Sequence, residues 1–313
     1  MTAPDAAASM QLIPAGAFWM GSDDAYPDEA PAHRREVEAF WIDVTAVTNE
    51  QFAQFVEATG HVTGGERPHR GTALPGPHGS VTPAGSAVFG VPDGPVDLAS
   101  GSWWSHVAGA SWRAPEGPGS DLRGRAAHPV VHVTHADATA YAQWCGKRLP
   151  TEAEWERAAR GGLDRQEFAW GDEREPGGVP LATTWPTDTF PVLEDGGRAA
   201  GTTPVGTHPA NGYGLLDMIG NVWEWTSDRY EAGHRPAGPC CGPGPRSDDP
   251  LAAVRPSLVL KGGSYLCAPN YCRRYRPAAR IPLLADDSAS NVGFRCVVDE
   301  PAAPTHRPSG RRS

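Results

Sequence analysis

The sequence predicts one large, loop-rich domain in which a few short helices and short strands are joined by long irregular connections. Three observations point there. Glycine and proline are abundant, at 37 and 32 of 313 residues, so turn signals interrupt the chain throughout. Apolar residues reach 39% and charged residues 20%, enough for a core, yet the apolar runs are short. Eleven tryptophans supply large rigid surfaces to bury where helices and strands are few. The length does not force a second domain, because loop-rich single domains reach this size. The domain is expected over residues 11–298, with flexible termini at 1–10 and at 299–313, a stretch of Pro, Ser and Arg with little apolar content.

Taken in chain order, Phe40-Trp41-Ile42 reads as a short strand. Thr48 and Gln51 form a capping box for a first helix, whose apolar face is Phe52, Phe55 and Val56 and whose left-handed stop is Gly60. From Gly64 to Ala127 the chain is dominated by Gly, Pro, Ser and His, and so long a connection is either functional or disordered. Trp103, Trp104 and Trp112 favour the ordered reading. Val130-Val131-His132-Val133 reads as a second short strand. Thr134 opens a second helix with Ala138, Tyr141, Ala142 and Cys145 on one face and Gly146 as its stop. Thr151 and Glu154 cap a third helix reciprocally, Trp155, Ala158 and Ala159 face inward, and Gly161 ends it. Leu258-Val259-Leu260 reads as a further strand.

A formal charge of −10 and a pI near 5.5 exclude a nucleic-acid or anionic-membrane partner, since both need a basic footprint. The first residues lack a secretory signal's basic and apolar regions, and no window approaches the ~20 apolar residues of a membrane helix. A cytoplasmic monomer is expected. Six cysteines in that compartment do not read as a disulfide framework, so each is weighed as filler, metal ligand or reactive thiol.

The segment from Lys261 to Arg276 carries the most chemistry. Cys267 and Cys272 are separated by four residues, with Pro269 between them to bend the chain, so the two thiols can face each other across a turn. Paired soft thiolates select soft ions, and Cu(I), which accepts two ligands in a line, is the natural candidate among Cu(I), zinc and iron–sulfur chemistry. Arg273, Arg274 and Arg276 would favour the thiolate form. On spacing alone, two buried or disulfide-linked cysteines fit equally well, because C-x4-C is a weaker metal signature than paired C-x-x-C.

This segment, Lys261-Gly262-Gly263-Ser264-Tyr265-Leu266-Cys267-Ala268-Pro269-Asn270-Tyr271-Cys272-Arg273-Arg274-Tyr275-Arg276, resembles the active-site stretch of the formylglycine-generating enzymes, or sulfatase-modifying factors. So does Asp287-Ser288-Ala289-Ser290-Asn291-Val292-Gly293-Phe294-Arg295-Cys296. Lys147-Arg148-Leu149-Pro150-Thr151-Glu152-Ala153-Glu154-Trp155-Glu156 and Gly220-Asn221-Val222-Trp223-Glu224-Trp225-Thr226-Ser227-Asp228 are similar to further motifs of that family, and the likeness runs from about residue 11 to residue 298. The resemblance implies a loop-rich α+β domain related to C-type lectin folds. It also implies an oxidase that converts the cysteine of a Cys-x-Pro-x-Arg stretch in a sulfatase to formylglycine, with copper as Cu(I) held by Cys267 and Cys272 and dioxygen as co-substrate. Ser264 and Trp223 would line the oxygen pocket, with Tyr271 and Asn291 as neighbouring polar groups; by residue type alone each also fits an ordinary structural place.

The resemblance further implies a structural calcium at Asp217, Gly220, Val222 and Glu224, a set of hard oxygen ligands that without it would read as a turn with solvated acids. A second calcium loop would fall within Thr183 to Gly201, where the family's usual Asn is missing. Some relatives bridge the Cys296 position to a helix cysteine near Cys145. His128, His132 and His135 have spacings that suggest zinc, but Pro129 and the apolar run between them scatter their directions, and core or cap histidines are expected. Cys240-Cys241 receives no role, because adjacent cysteines rarely bridge. The alternative function is a non-catalytic ligand-binding module of the same superfamily, which has no use for paired thiols. A third reading, an iron-dependent sulfoxide synthase, lacks its His-x-x-x-His-x-Glu motif here.

Overall fold

Each helix begins where its own side chains satisfy the free backbone groups of the first turn. In this computed structural model, which describes residues 10–70, 81–92, 94, 96–192, 201–234 and 256–300, α1 spans Asn49–Thr59, α2 His135–Trp144 and α3 Glu152–Arg160. Thr48, Thr134 and Thr151 all form complete capping boxes, with Gln51, Asp137 and Glu154. Gly60 and Gly161 stop α1 and α3 at φ of 69° and 58°, values that favour glycine. Cys145 is the C-cap of α2, one position past the last helical residue.

Thirteen strands among the described residues surround these helices: β1 (Met10–Ile13), β2 (Gly16–Met20), β3 (His33–Val37), β4 (Phe40–Asp43), β5 (His69–Arg70), β6 (Val81–Thr82), β7 (Gly85–Phe89), β8 (Trp104–Ala108), β9 (Trp223–Arg229), β10 (Ser257–Lys261), β11 (Arg280–Leu284), β12 (Val292–Gly293) and β13 (Val297–Asp299). One antiparallel sheet has the order β1-β4-β13, tying both ends of the domain together. A second has the order β11-β10-β9-β12, antiparallel except for the β9–β12 pair. Three hairpin-like pairs, β2-β3, β5-β6 and β7-β8, complete the set. The α+β, loop-rich class expected from the sequence is therefore the one found.

Two expectations need correction. Val130-Val131-His132-Val133 is not a strand; only Pro129 makes an isolated bridge, to Thr48, and His132 has a φ of 60°, which breaks any extended run. Conversely, the long connection after Gly64 carries β5 to β8, four strands that no local sequence pattern places.

The main core packs α1, α2 and α3 against both larger sheets through Phe52, Trp112, Tyr141, Trp155, Trp225 and Phe294, all buried. A second cluster of Trp103, Trp185, Phe190, Tyr265, Leu266 and Ala268 lies beside it. The most deeply buried charges are paired, as burial demands. Lys261, wholly buried, reaches Glu156 at 2.9 Å, and Arg280 reaches Glu152 at 2.8 Å. Because Lys261 ends β10 and Arg280 begins β11, directly opposite in register, α3 fastens both roots of the loop between those strands. No helix among the described residues is long and apolar enough to cross a membrane.

Candidate active site

The loop of residues 262–279 connects β10 to β11 and carries both thiols. Its first residues must be glycine. Gly262 and Gly263 have φ of 95° and 75°, and a Cβ would lie 2.9 Å from the Met218 carbonyl oxygen at the first and 2.8 Å from that of Arg274 at the second. Ser264 then starts a turn: its carbonyl accepts from the Cys267 amide at 2.9 Å, and its own amide donates to Cys267 Sγ at 3.4 Å. The Trp185 amide donates to the Cys267 carbonyl at 2.9 Å, and the Cys272 amide donates to the Ala268 carbonyl at 3.0 Å. The outcome is a Cys267 Sγ to Cys272 Sγ separation of 3.3 Å. That is far longer than the ~2.05 Å of a disulfide, so both are reduced thiols in hydrogen-bond contact.

The two thiols are not equivalent. Burial pushes the Cys267 thiol well up. Cys272 is held below its ordinary value, first because the Cys267 thiol donates to it and then because Arg274 and Arg276 lie nearby. Of the two, Cys272 is the one more readily ionised, and as a thiolate it would accept from the Cys267 thiol. Of the three arginines expected to act here, Arg273 turns outward to Glu167 at 3.1 Å, with both side chains exposed.

All six residues singled out from the sequence, Trp223, Ser264, Cys267, Tyr271, Cys272 and Asn291, line one cleft of about 460 Å³. Tyr271, 40% exposed, stacks on Phe190 with ring centroids 4.6 Å apart, and Trp103 meets both rings edge-on. Parallel pairing of β12 with β9 brings Asn291 to the site: its carbonyl accepts from the Trp223 amide at 2.8 Å, and its Nδ2 donates to Ser264 Oγ at 3.0 Å. Ser264 Oγ also accepts from the Leu266 amide, so the hydroxyl proton of Ser264 remains to be donated elsewhere. Sequence reasoning does not single out Phe190, Tyr26 or Arg274 as cleft residues, and marks Trp103 only as a sign of order; all four line the cleft.

Ser86 and Ser288, which also line the cleft, belong to a directed hydrogen-bond chain. His132 Nε2 lies 2.8 Å from the Pro115 carbonyl oxygen, which can only accept, so Nε2 carries the proton and Nδ1 accepts from Ser86 Oγ at 2.8 Å. Ser86 in turn accepts from Ser288 at 2.7 Å. His132 is fully buried, and burial lowers its pKa to about 4. His128 contacts Thr202 and His135 opens α2, so the three histidines point to different partners; among the described residues no three metal-binding side chains converge.

The other sites divide in the same way. Asp217, at φ 50°, accepts from the Gly206 amide through Oδ2, while its buried Oδ1 has no hydrogen-bond partner and fits a hard cation. Glu224 fits less well: it is 1% exposed, and its carboxylate is held by Arg295 at 2.7 Å and by the Trp155 indole at 2.7 Å. Gly220 and Val222, between them, are buried. Of the second calcium loop, Thr183 bonds Thr203 and His208, whereas Glu194, Asp195 and Gly196 lie outside the described residues, as do Cys240 and Cys241. Cys145 and Cys296 are free thiols.

Fold and site together define a loop-rich α+β domain with a reduced thiol pair in an aromatic-walled cleft. Residues 1–300 match the Sulfatase-modifying factor enzyme 1-like domain, and the chain belongs to that family, the formylglycine-generating enzymes. It is 51% identical over 294 residues to a formylglycine-generating enzyme of Mycobacterium tuberculosis, covering 92% of this chain and 96% of that one. It is also 35% identical over 309 residues to an inactive C-alpha-formylglycine-generating enzyme 2 of Bos taurus, covering 92% and 87%. Among solved structures it is similar to PvdO from Pseudomonas aeruginosa, with a TM-score of 0.57, 25% identity and coverage of 92% and 93%.

Proposed function

We propose that this chain oxidises the cysteine of a Cys-x-Pro-x-Arg stretch in a sulfatase to formylglycine, using dioxygen and Cu(I) held by Cys267 and Cys272. The observation that carries this reading is the reduced thiol pair, 3.3 Å apart, in a cleft large enough for a peptide side chain. Two soft donors, one of them a thiol whose pKa is lowered by its surroundings, suit a cuprous ion better than a hard cation. When bound, copper supplies the one-electron chemistry with dioxygen that no side chain here can perform.

The chain's own groups do the rest. Cys267 and Cys272 hold the ion, with Cys267 giving up its proton on binding. The spare proton of Ser264, fixed by Asn291 and Leu266, is available to an oxygen atom in the cleft. Trp223, Tyr271 and the aromatic wall exclude water and orient the peptide. The substrate cysteine loses two electrons and two protons, one from Cβ and one from its thiol, to give a thioaldehyde, and water then replaces sulfur, which leaves as sulfide. Dioxygen needs four electrons to reach water, so an external thiol reductant provides the remaining two. For a structural calcium the support is the orphaned Oδ1 of Asp217, beside Gly220 and Val222; at Glu224 the ion would share a carboxylate with Arg295.

The test loads reduced protein with Cu(I), adds a Cys-x-Pro-x-Arg peptide and a thiol reductant in air, and seeks aldehyde by mass spectrometry. Product is expected from the wild type and from neither Cys267→Ser nor Cys272→Ser. Peptide binding without any aldehyde would instead favour a ligand-binding module, a reading to which the name of the inactive bovine relative lends weight.

A further inference from the structure

Cys267 and Cys272 are held in place by different means. Cys267 is fixed within its own loop and by the second core cluster, through its amide, its sulfur and its carbonyl. Cys272 is only partly buried, and its amide makes one local turn bond, to Ala268. The two residues next in the chain, Arg273 and Arg274, are gripped from far upstream. The Arg273 amide donates to the Tyr26 hydroxyl oxygen at 3.1 Å. The Arg274 guanidinium lies over the Tyr26 ring, 3.9 Å from its centroid, and its Nη1 reaches the two Asp28 carboxylate oxygens at 3.0 and 3.2 Å. Asp28 is itself held, since its carboxylate accepts from the Tyr230 hydroxyl at 3.0 Å and its carbonyl from Arg280 at 3.1 Å. Tyr26 and Arg274 line the same cleft as the thiols.

We infer that Tyr26 and Asp28 are positioning residues, acting through the Arg273 backbone and the Arg274 side chain to hold Cys272 beside Cys267. The deeper pair formed by Glu29 and Arg276, bidentate at 2.6 and 2.8 Å, secures the fold of this region. Tyr26 and Asp28 hold the residues that follow Cys272, one of which, Arg274, bonds the Cys272 thiol through its backbone. Their effect on copper rests on the function proposed above; their effect on the distance between the thiols does not.

The experiment compares wild type, Tyr26→Phe and Asp28→Asn, metal-free and reduced, by two measurements. The first is the dithiol–disulfide equilibrium of Cys267 and Cys272 in glutathione buffer, which reads how often the sulfurs meet. The second is competition for Cu(I) against a chromophoric chelator. Removing the Tyr26 hydroxyl is expected to lower the disulfide equilibrium constant about fivefold, the effect of one hydrogen bond. Each variant is expected to hold Cu(I) about tenfold more weakly, as when a residue supporting a ligand is lost, and Asp28→Asn, which leaves Arg274 unpaired, to lower the thermal midpoint as well. A purely structural role would lower the midpoint and leave both thiol measurements at wild-type values, which overturns the inference. Should Tyr26→Phe not fold, Arg274→Lys carries the same test, because lysine keeps the charge and loses the fork and the stacking. A wild type that closes its disulfide but takes no Cu(I) removes the metal reading, while the shift between variants still decides the positioning. Equal closure and equal Cu(I) retention in all three proteins removes the positioning alone.

Discussion

Replacing His132 by Asn should make the protein less sensitive to acid. Asn tolerates the φ of 60° at this position, retains an acceptor for Ser86 and does not titrate. In the folded protein His132 is neutral, with a pKa lowered from 6.5 to about 4 by full burial. Because the unfolded chain binds the proton more readily, stability rises with pH from about 4 to 6.5 and is lost as the pH falls through that window. Linkage with those two values makes wild type about 2.5 kcal/mol less stable at pH 4.5 than at pH 7.5 through this one residue. Buried carboxylates whose pKa values are raised, such as Glu152 and Asp217, act in the opposite sense, since protonation at low pH relieves their burial. They are common to both proteins and cancel in the difference. The assay is urea unfolding of wild type and His132→Asn at pH 7.5 and 4.5. Asn is expected to cost stability at pH 7.5, where the Pro115 bond is lost, and to narrow or reverse that deficit at pH 4.5. A deficit that stays constant across the two pH values would refute the assignment of a buried, neutral His132.

Arg295→Met leaves Glu224 buried with only the Trp155 indole to balance it, and should lower stability by about 3–5 kcal/mol, measured as a shift in urea midpoint. Oxidised glutathione should close Cys267 and Cys272 into a disulfide with little change in the fold, because they start 3.3 Å apart, and intact-mass analysis after alkylation should show two protected thiols. Gly263→Ala forces a Cβ to 2.8 Å from the Arg274 carbonyl oxygen at a φ of 75°; it should cost about 1–3 kcal/mol in stability and spread the thiols, read as slower closure of that same disulfide.

The legibility of the sequence tracks the range of the forces involved. The three helices are readable because capping boxes and left-handed stops are written within a few residues of each terminus. The thiols, Ser264, Tyr271, Trp223 and Asn291 are found through short motifs, and one cleft holds all six. Strands β5 to β8 escape a local reading because their residues carry no period of their own and acquire strand geometry only by pairing. Val130 to Val133 mislead for the complementary reason: the run is buried and apolar, but His132 takes its backbone from a side-chain network with Ser86 and Pro115 that no local pattern encodes. Asp28 and Arg274 form an ion pair across most of the chain, and nothing near either residue in sequence announces it.

That long-range pairing also bears on what the thiols are suited to do. Unpaired arginines beside a cysteine make a reactive nucleophile, and they would repel an arriving cation. Here each is matched: Arg274 by Asp28 at 3.0 Å and Arg276 by Glu29 at 2.6 Å. The guanidinium groups still lower the Cys272 pKa, yet together the two pairs add no net charge to the site. Ionising Cys272 would make the local balance negative, and loss of the Cys267 proton would make it more so. A cluster with that balance favours the approach of a soft cation, so charge pairing, as much as the choice of sulfur, bears on what the thiol pair can bind.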